Sequence, residues 1–107
     1  MQIPSSFKLL GHTITVEEEL TGMYEKGRYG CSGFETKFIR ITPKGPQHPV
    51  TETSIEHTFL HELVHHILYY SDLAADVKSG ARLCDQEAFV DLFAGLLHQA
   101  LTTMEYP

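Results

Sequence analysis

The sequence predicts a single α+β domain over residues 1–107, in which a short, largely antiparallel sheet of about three strands packs on two long helices. In residues 51–107, two long segments repeat apolar residues at helical spacing. In residues 1–50, short segments of strand-like composition are separated by Gly and Pro. A chain of this length buries roughly 60% of its unfolded surface, which is enough for one modest core.

The sheet is predicted from the first half of the chain. Residues 7–10 and 13–17 are predicted to form a hairpin or a bent strand, with His12 in the turn between them. Residues 23–29 are predicted to be a further short extended piece. Because these segments are short, they indicate the positions of strands but say little about how the strands pair.

Residues 34–41 give the clearest strand signal, because apolar and charged side chains alternate there before Pro43. This strand is predicted to lie at an edge of the sheet. An extended peptide can pair with such a strand, or the strand only supports the helix behind it, and the sequence leaves both possibilities open. Residues 44–50 are predicted to be a Pro- and Gly-containing loop between the sheet and the helices.

The first helix is predicted over residues 53–70. Thr53 and Glu56 have the spacing of a capping box, and neither Pro nor Gly interrupts the segment. At 100° per residue, His61 and His65 lie together at the border of one broad apolar arc. The members of that arc are Leu60, Leu63, Val64, Ile67 and Leu68.

His61, Glu62 and His65 form an HExxH motif on this helix. Two histidines four residues apart project from one face and can bind one Zn²⁺, while Glu62 reaches a metal-bound water as general base and acid. A single histidine at such a border is more often a hydrogen-bonded structural residue, but the pair with a glutamate between them favours the metal. His57 extends the row, although three ligands on one straight helix cannot surround a tetrahedral ion. His66 is expected to be solvated.

The second helix is predicted over residues 82–103. On it, Glu87 and Asp91 are one turn apart beside the apolar arc, where Glu87 can supply a third metal ligand and Asp91 can hold a ligating imidazole. The alternative is that both acids form a solvated face. Cys84 is three residues before Glu87 and is a less favoured substitute ligand. The predicted apolar arc comprises Phe89, Val90, Phe93, Leu96, Leu97, Ala100 and Leu101.

Residues 53–98 resemble the gluzincin branch of the zincin metallopeptidases, since an HExxH helix is followed by a helix with Glu-x-x-x-Asp. The stretch QEAFVDLFAGLL is similar to the small bacterial and phage ImmA/IrrE-type metallopeptidases. The resemblance implies a small zincin-like domain in which His61, His65 and Glu87 bind zinc, Glu62 is the general base and Asp91 supports a histidine. The downstream domain of many larger relatives is not expected here.

The expected function is zinc-dependent hydrolysis of a peptide or protein substrate, with a narrow regulatory protease as one form of it. A non-catalytic zinc-binding interaction module is the alternative. For the oxyanion of the substrate, the candidates are His98, Tyr69 and Tyr29, each of which is more simply a surface or packing residue. The sequence does not indicate the substrate or the oligomeric state.

Composition and the pattern of apolar runs limit the partners and the cellular location that are expected for this chain. With 14 acidic and 8 basic residues, the net charge of −6 argues against nucleic acid as the main partner. The first residues lack a signal peptide pattern and every apolar run is short, so no membrane association and a cytoplasmic location are expected. Cys31 and Cys84 are then expected to be reduced thiols.

Overall fold

The computed structural model of the protein describes residues 1–18, 30–42, 52–78 and 80–107. Two long helices and four strands confirm the predicted α+β class; the predicted extended piece 23–29 and loop 44–50 lie outside the described residues. In chain order the elements are β1 (Ser6–Leu9), β2 (His12–Glu18), β3 (Gly30–Gly33), β4 (Phe38–Ile41), α1 (Glu52–Ala74), a three-residue 3₁₀ helix (Leu83–Asp85) and α2 (Glu87–Thr103).

The described sheet has four strands in the order β1-β2-β4-β3, one more than predicted. Two neighbouring pairs are antiparallel, as expected, but β2 and β4 are parallel. The predicted strand 34–41 is wrong in two respects. Residues 34–37 form a turn, with Lys37 at a φ of 57°, and β4 lies inside the sheet instead of at its edge. The side chains of Ile39 and Ile41 explain this position, because both are buried.

The predicted hairpin at residues 7–10 and 13–17 is confirmed by β1 and β2, whose antiparallel register ends at the pair Leu9 and His12. The two loop residues Leu10 and Gly11 have φ angles of 49° and 79°. Positive φ at both positions is what a two-residue type I′ turn requires, and its twist matches that of the strands. His12 therefore belongs to β2 and not to the turn, and its ring stacks on Tyr70 of α1 at 5.1 Å between centroids.

Helix α1 is the middle element of the fold, because it contacts β3, β4, the 3₁₀ helix and α2. It begins at Glu52 and so includes Thr53, and the Glu56 carboxylate accepts from the Met1 amine and from His98 instead of closing the predicted capping box. The core that α1 shares with the sheet and α2 consists of Ile14, Ile39, Ile41, Phe59, Leu60, Val64, Tyr70, Val90 and Ala94.

The apolar arc predicted for the second helix is only partly buried. Helix α2 starts at Glu87, five residues later than predicted, and it faces α1 with Val90 and Ala94, both fully buried. Phe89 and Phe93 are 40% and 45% exposed, and Leu96 and Leu101 are exposed as well. Ala94 is small, so it permits close approach of the two helices, and the bulkier arc residues lie to one side of the contact.

Candidate metal centre

Three side chains from two helices converge at one point beside the sheet. On α1, Nε2 of His61 and Nε2 of His65 are 3.2 Å apart. Glu87, the first residue of α2, places Oε2 3.1 Å from His61 Nε2 and Oε1 2.7 Å from His65 Nε2. One ligand atom from each of the three residues lies within 4.8 Å of the others, so the group can hold a metal ion.

The opposite nitrogen of each imidazole is held by a different group. His61 Nδ1 lies 3.3 Å from Oδ1 of Asp91, one turn beyond Glu87 on α2. His65 Nδ1 lies 2.7 Å from the backbone carbonyl oxygen of Cys84 in the 3₁₀ helix. A carbonyl and an ionised carboxylate only accept hydrogen bonds, so both Nδ1 atoms must be donors. In the neutral rings, both Nε2 atoms are therefore acceptors.

Acceptors then face acceptors at the convergence point, because two Nε2 lone pairs meet the carboxylate of Glu87. A cation between its members, either an added proton on an imidazole or a metal ion, would satisfy all of these acceptors at once. Corners of a tetrahedron with metal–ligand bonds of 2.0–2.1 Å are about 3.3 Å apart. The two imidazole Nε2 atoms, 3.2 Å apart, match this spacing, and one carboxylate oxygen of Glu87 lies within 4.8 Å of both, so the donor set can hold a small tetrahedral ion.

Glu62 lies beside this group and is almost buried, with 7% exposed surface. Ser32 of β3 donates a hydrogen bond from Oγ to Glu62 Oε2 at 2.5 Å. The neighbouring Gly30 permits this approach of strand to helix. A Cβ atom at Gly30 would lie 2.6 Å from Thr58 Cγ2 and 3.3 Å from Glu62 Cγ, so a side chain there would push β3 away from α1.

A cleft of about 560 Å³ opens over the convergence point. One wall is β3 and the following turn, and the other is the 3₁₀ helix with the start of α2. Since His61, Glu62, His65 and Glu87 all belong to its surface, a molecule in the cleft reaches the metal-binding atoms. The described residues that line the cleft are Gly30, Cys31, Ser32, Phe34, His61, Glu62, His65, Cys84, Asp85 and Glu87.

Of the three candidates for the oxyanion, the two that the structure describes, His98 and Tyr69, do not line the cleft. His98 Nε2 is 2.8 Å from Glu56 Oε1, a contact between α2 and α1. Hydrogen bonds from His98 and from the Met1 amine hold the pKa of Glu56 below its usual value. Tyr69 stacks on Phe34 at 4.5 Å between ring centroids and lies behind it. Tyr29 lies outside the described residues.

His57 and His66, the other two histidines of α1, lie outside the convergence point. His57 does not join the convergence point; its Nε2 is 3.9 Å from Asp91 Oδ1. His66 is fully buried, so the expectation that it is solvated is wrong. Its ring packs edge-on against Phe34 and its Nδ1 lies 3.3 Å from the carbonyl oxygen of Glu62, and burial lowers the pKa of its imidazole. Position 66 faces the β3–β4 hairpin, which periodicity along one helix does not reveal.

Cys84 takes part in the candidate metal centre through its backbone carbonyl and not through its sulfur. The residue lies in the 3₁₀ helix, outside α2, and its side chain is buried. Burial, with the nearby carboxylates of Asp72 and Asp85, raises the pKa of the thiol to about 12, so the sulfur stays protonated near neutral pH. A protonated thiol is a poor metal ligand, and the metal-binding group among the described residues does not include it. No disulfide joins Cys31 to Cys84.

No protein-family model, curated protein or solved structure matches this chain. The helices in the described part of the chain are each too short or too polar to span a membrane.

Proposed function

We propose that this chain is a zinc-dependent peptidase in which His61, His65 and Glu87 hold the metal. The observation that carries the proposal is the convergence of two imidazole lone pairs and a carboxylate, each imidazole fixed from behind by an acceptor. Two nitrogens and one carboxylate oxygen form the ligand set of many catalytic zinc sites. The metal is assigned as zinc because imidazole nitrogen and tetrahedral spacing favour it over Mg²⁺ and Ca²⁺.

The site has the properties of a catalytic centre more than those of a structural one. Structural zinc is enclosed by four protein ligands, whereas catalytic zinc has three and an open position. Among the described residues three donors converge, and all three line the cleft. The group therefore lies where a substrate can reach it, which favours an enzyme over a zinc-binding interaction module.

Glu62 is the proposed general base and acid. Bound zinc would supply a water of lowered pKa and would polarise the scissile carbonyl. Glu62 takes a proton from the attacking water on its carboxylate and then passes that proton to the leaving amine. The Ser32 hydroxyl holds Oε2 of this carboxylate, so Glu62 is fixed in the cleft before a substrate arrives.

The substrate is proposed to be a peptide segment in extended form that lies along β3. Three consecutive residues of β3, Gly30 to Ser32, line the cleft beside Glu62. Strand β4 cannot take this role, because β2 and β3 already occupy its two edges. Of the two possibilities that the sequence left open for residues 34–41, peptide pairing is therefore proposed for the neighbouring strand β3 instead.

Substitution of Glu62 separates an enzyme from a binding module. Purified protein is expected to carry close to one zinc per chain by elemental analysis, and Glu62→Gln should keep that zinc because its side chain is outside the ligand set. Hydrolysis of a broad peptide library by Glu62→Gln should fall by at least 10²-fold, the usual contribution of a general base. Glu105→Gln, a change at an exposed acid near the end of α2, is the matched control and should cleave at the parental rate.

Two outcomes contradict the proposal in different ways. Cleavage by Glu62→Gln at the parental rate would show that Glu62 is not the base. Zinc binding by both proteins without cleavage of any library member would favour the zinc-binding interaction module.

A further inference from the structure

The peptide backbone of Cys84 is clamped to α1 at both ends. Its carbonyl oxygen accepts from His65 Nδ1 at 2.7 Å, and its amide nitrogen donates to Oδ2 of Asp72 at 3.1 Å. His65 and Asp72 are seven residues apart on α1, which places them two turns apart on the same face. Asp72 is only 4% exposed. The buried carboxylate of Asp72 thus binds the amide of Cys84, and the carbonyl of Cys84 holds His65, a proposed zinc ligand on the same helix as Asp72.

We infer that Asp72 is a positioning residue of the metal centre: it anchors the 3₁₀ helix so that the Cys84 carbonyl keeps His65 in the Nδ1–H form, with Nε2 free to bind the ion. This inference rests on the proposed metal site. Asp72 is neither one of the three candidate ligands nor one of the described residues that line the cleft, and it acts through the Cys84 backbone.

The 3₁₀ helix needs such an anchor because it has little support of its own. It is three residues long, and among its own backbone bonds are Asp85 N–H to the Arg82 carbonyl at 3.4 Å and Gln86 N–H to the Leu83 carbonyl at 3.0 Å. Helices of this length are marginal without outside contacts. The carboxylate of Asp72 provides one at the buried side of the turn.

The charge state of Asp72 agrees with this role. Burial alone would raise the pKa of the carboxyl, but hydrogen bonds from the Cys84 amide and thiol and from the Leu83 amide outweigh burial, with help from the positive charge of Arg82. The pKa of Asp72 therefore lies below its usual value. An ionised carboxylate has two acceptor oxygens, whereas an amide has one and an aliphatic side chain has none.

Loss of the carboxylate has a specific consequence for His65. Without Asp72 the amides of Leu83 and Cys84 lose a buried acceptor, so the turn shifts toward water and moves the Cys84 carbonyl away from His65. The imidazole then loses the partner that selects its tautomer, and the proton can move to Nε2, the atom that must be free for the metal.

The first test is made on zinc-free protein and needs no enzymatic activity. Imidazole ¹⁵N shifts, recorded at a pH high enough that the rings are neutral, report which ring nitrogen carries the single proton. The parent protein should show His65 as the Nδ1–H form. Asp72→Ala should show a mixture with the Nε2–H form, and Asp72→Asn, which keeps one acceptor oxygen for the Cys84 amide, should restore most of the parental signal.

The second test is zinc affinity measured by competition with a chelator. Asp72→Ala is expected to bind zinc about 10- to 100-fold more weakly, the usual cost of losing an outer partner of a metal ligand. Asp72→Asn should lose less. Ile14→Val, a core change in β2, is the control for general destabilisation and should bind zinc as the parent does.

Each result supports or overturns the inference. Parental His65 tautomer and parental zinc affinity in Asp72→Ala would overturn it, as would an equal loss of affinity in Ile14→Val. Should Asp72→Ala fail to fold, Asp72→Asn decides: a loss of zinc affinity of about 10-fold or more with a fully parental tautomer ratio at His65 would contradict the role of the backbone clamp, whereas a small loss with a correspondingly small shift of that ratio would support it. If the parent binds no zinc, the proposed function fails, while the tautomer comparison still decides the role of Asp72.

Discussion

His61 and His65 lie one turn apart on α1, yet their surroundings differ. His61 is held by the carboxylate of Asp91, whose side chain is 64% exposed. His65 is held by the backbone carbonyl of Cys84, a buried residue whose amide is anchored by the buried Asp72. His61, a candidate ligand, is thus supported from the solvent side by a single side chain. His65, the other candidate on α1, is supported from inside the fold by main chain.

Because the supports of the two histidines differ, substitutions on the two sides should differ in how far they affect the stability of the fold as well as metal binding. An exposed carboxylate exchanges protein partners for water at small cost, so removing Asp91 should change the metal site and leave the fold intact. A buried carbonyl cannot replace a lost donor with water. Removing its donor therefore costs about 1–3 kcal/mol of folding stability. Changes on the His65 side should therefore lower both zinc affinity and stability, while changes on the His61 side should lower mainly zinc affinity.

The largest expected effect comes from removing either histidine, and the pair of variants tests the comparison directly. His61→Ala and His65→Ala should each lose nearly all bound zinc, since two ligands rarely retain a catalytic zinc. In zinc-free protein, urea unfolding should show that His65→Ala loses about 1–3 kcal/mol of stability because the Cys84 carbonyl is left without its donor. His61→Ala should lose less.

Two results would contradict the proposed roles of the two histidines. If His65→Ala retained zinc as tightly as the parent, the ligand assignment would be wrong. An equal loss of stability in the two zinc-free variants would show that the main-chain support of His65 has no special weight.

A smaller effect is expected at Asp91, which supports a ligand without being one. Asp91→Ala should weaken zinc about 10- to 100-fold, and Glu87→Ala should weaken it more, because Glu87 supplies a ligand atom. The thermal midpoint of zinc-free Asp91→Ala should stay near that of the parent, since the side chain is mostly exposed. A zinc titration decides the matter: equal affinity in the parent and in Asp91→Ala would reduce the Glu-x-x-x-Asp spacing to coincidence.

The sequence predicted the helical half of the fold better than the sheet. Apolar spacing located α1 and most of α2, because helix periodicity is a property of one continuous segment. Sheet order depends on contacts between segments that are far apart in the chain, and four-residue strands such as β3 and β4 carry little pattern of their own. The central place of β4 was therefore missed, and so was the parallel pairing with β2.

The residues of the candidate metal centre show the same division. His61, His65, Glu87 and Asp91 were predicted because side-chain type and i, i+4 spacing on a helix identify them, and the structure brings all four together. The Cys84 carbonyl could not be predicted in this way, because every residue has a carbonyl and only the fold selects one. Asp72 did leave a signal in the sequence, an acid seven residues after His65 on the same helix face.

The smallest expected effect is at Cys84 itself, where the backbone is proposed to act and the side chain is not. Cys84→Ala keeps the carbonyl that holds His65 and the amide that binds Asp72, so zinc affinity should stay within about twofold of the parent. Because the sulfur is buried, the same change should cost about 1 kcal/mol of stability from lost packing, measured by urea unfolding. Affinity and stability are thus expected to separate at this position, in contrast to His65→Ala, which lowers both. Loss of zinc in Cys84→Ala, together with a thiolate-to-cobalt absorption band in the cobalt-substituted parent, would show that the sulfur binds the metal and that the main-chain support of His65 is misassigned.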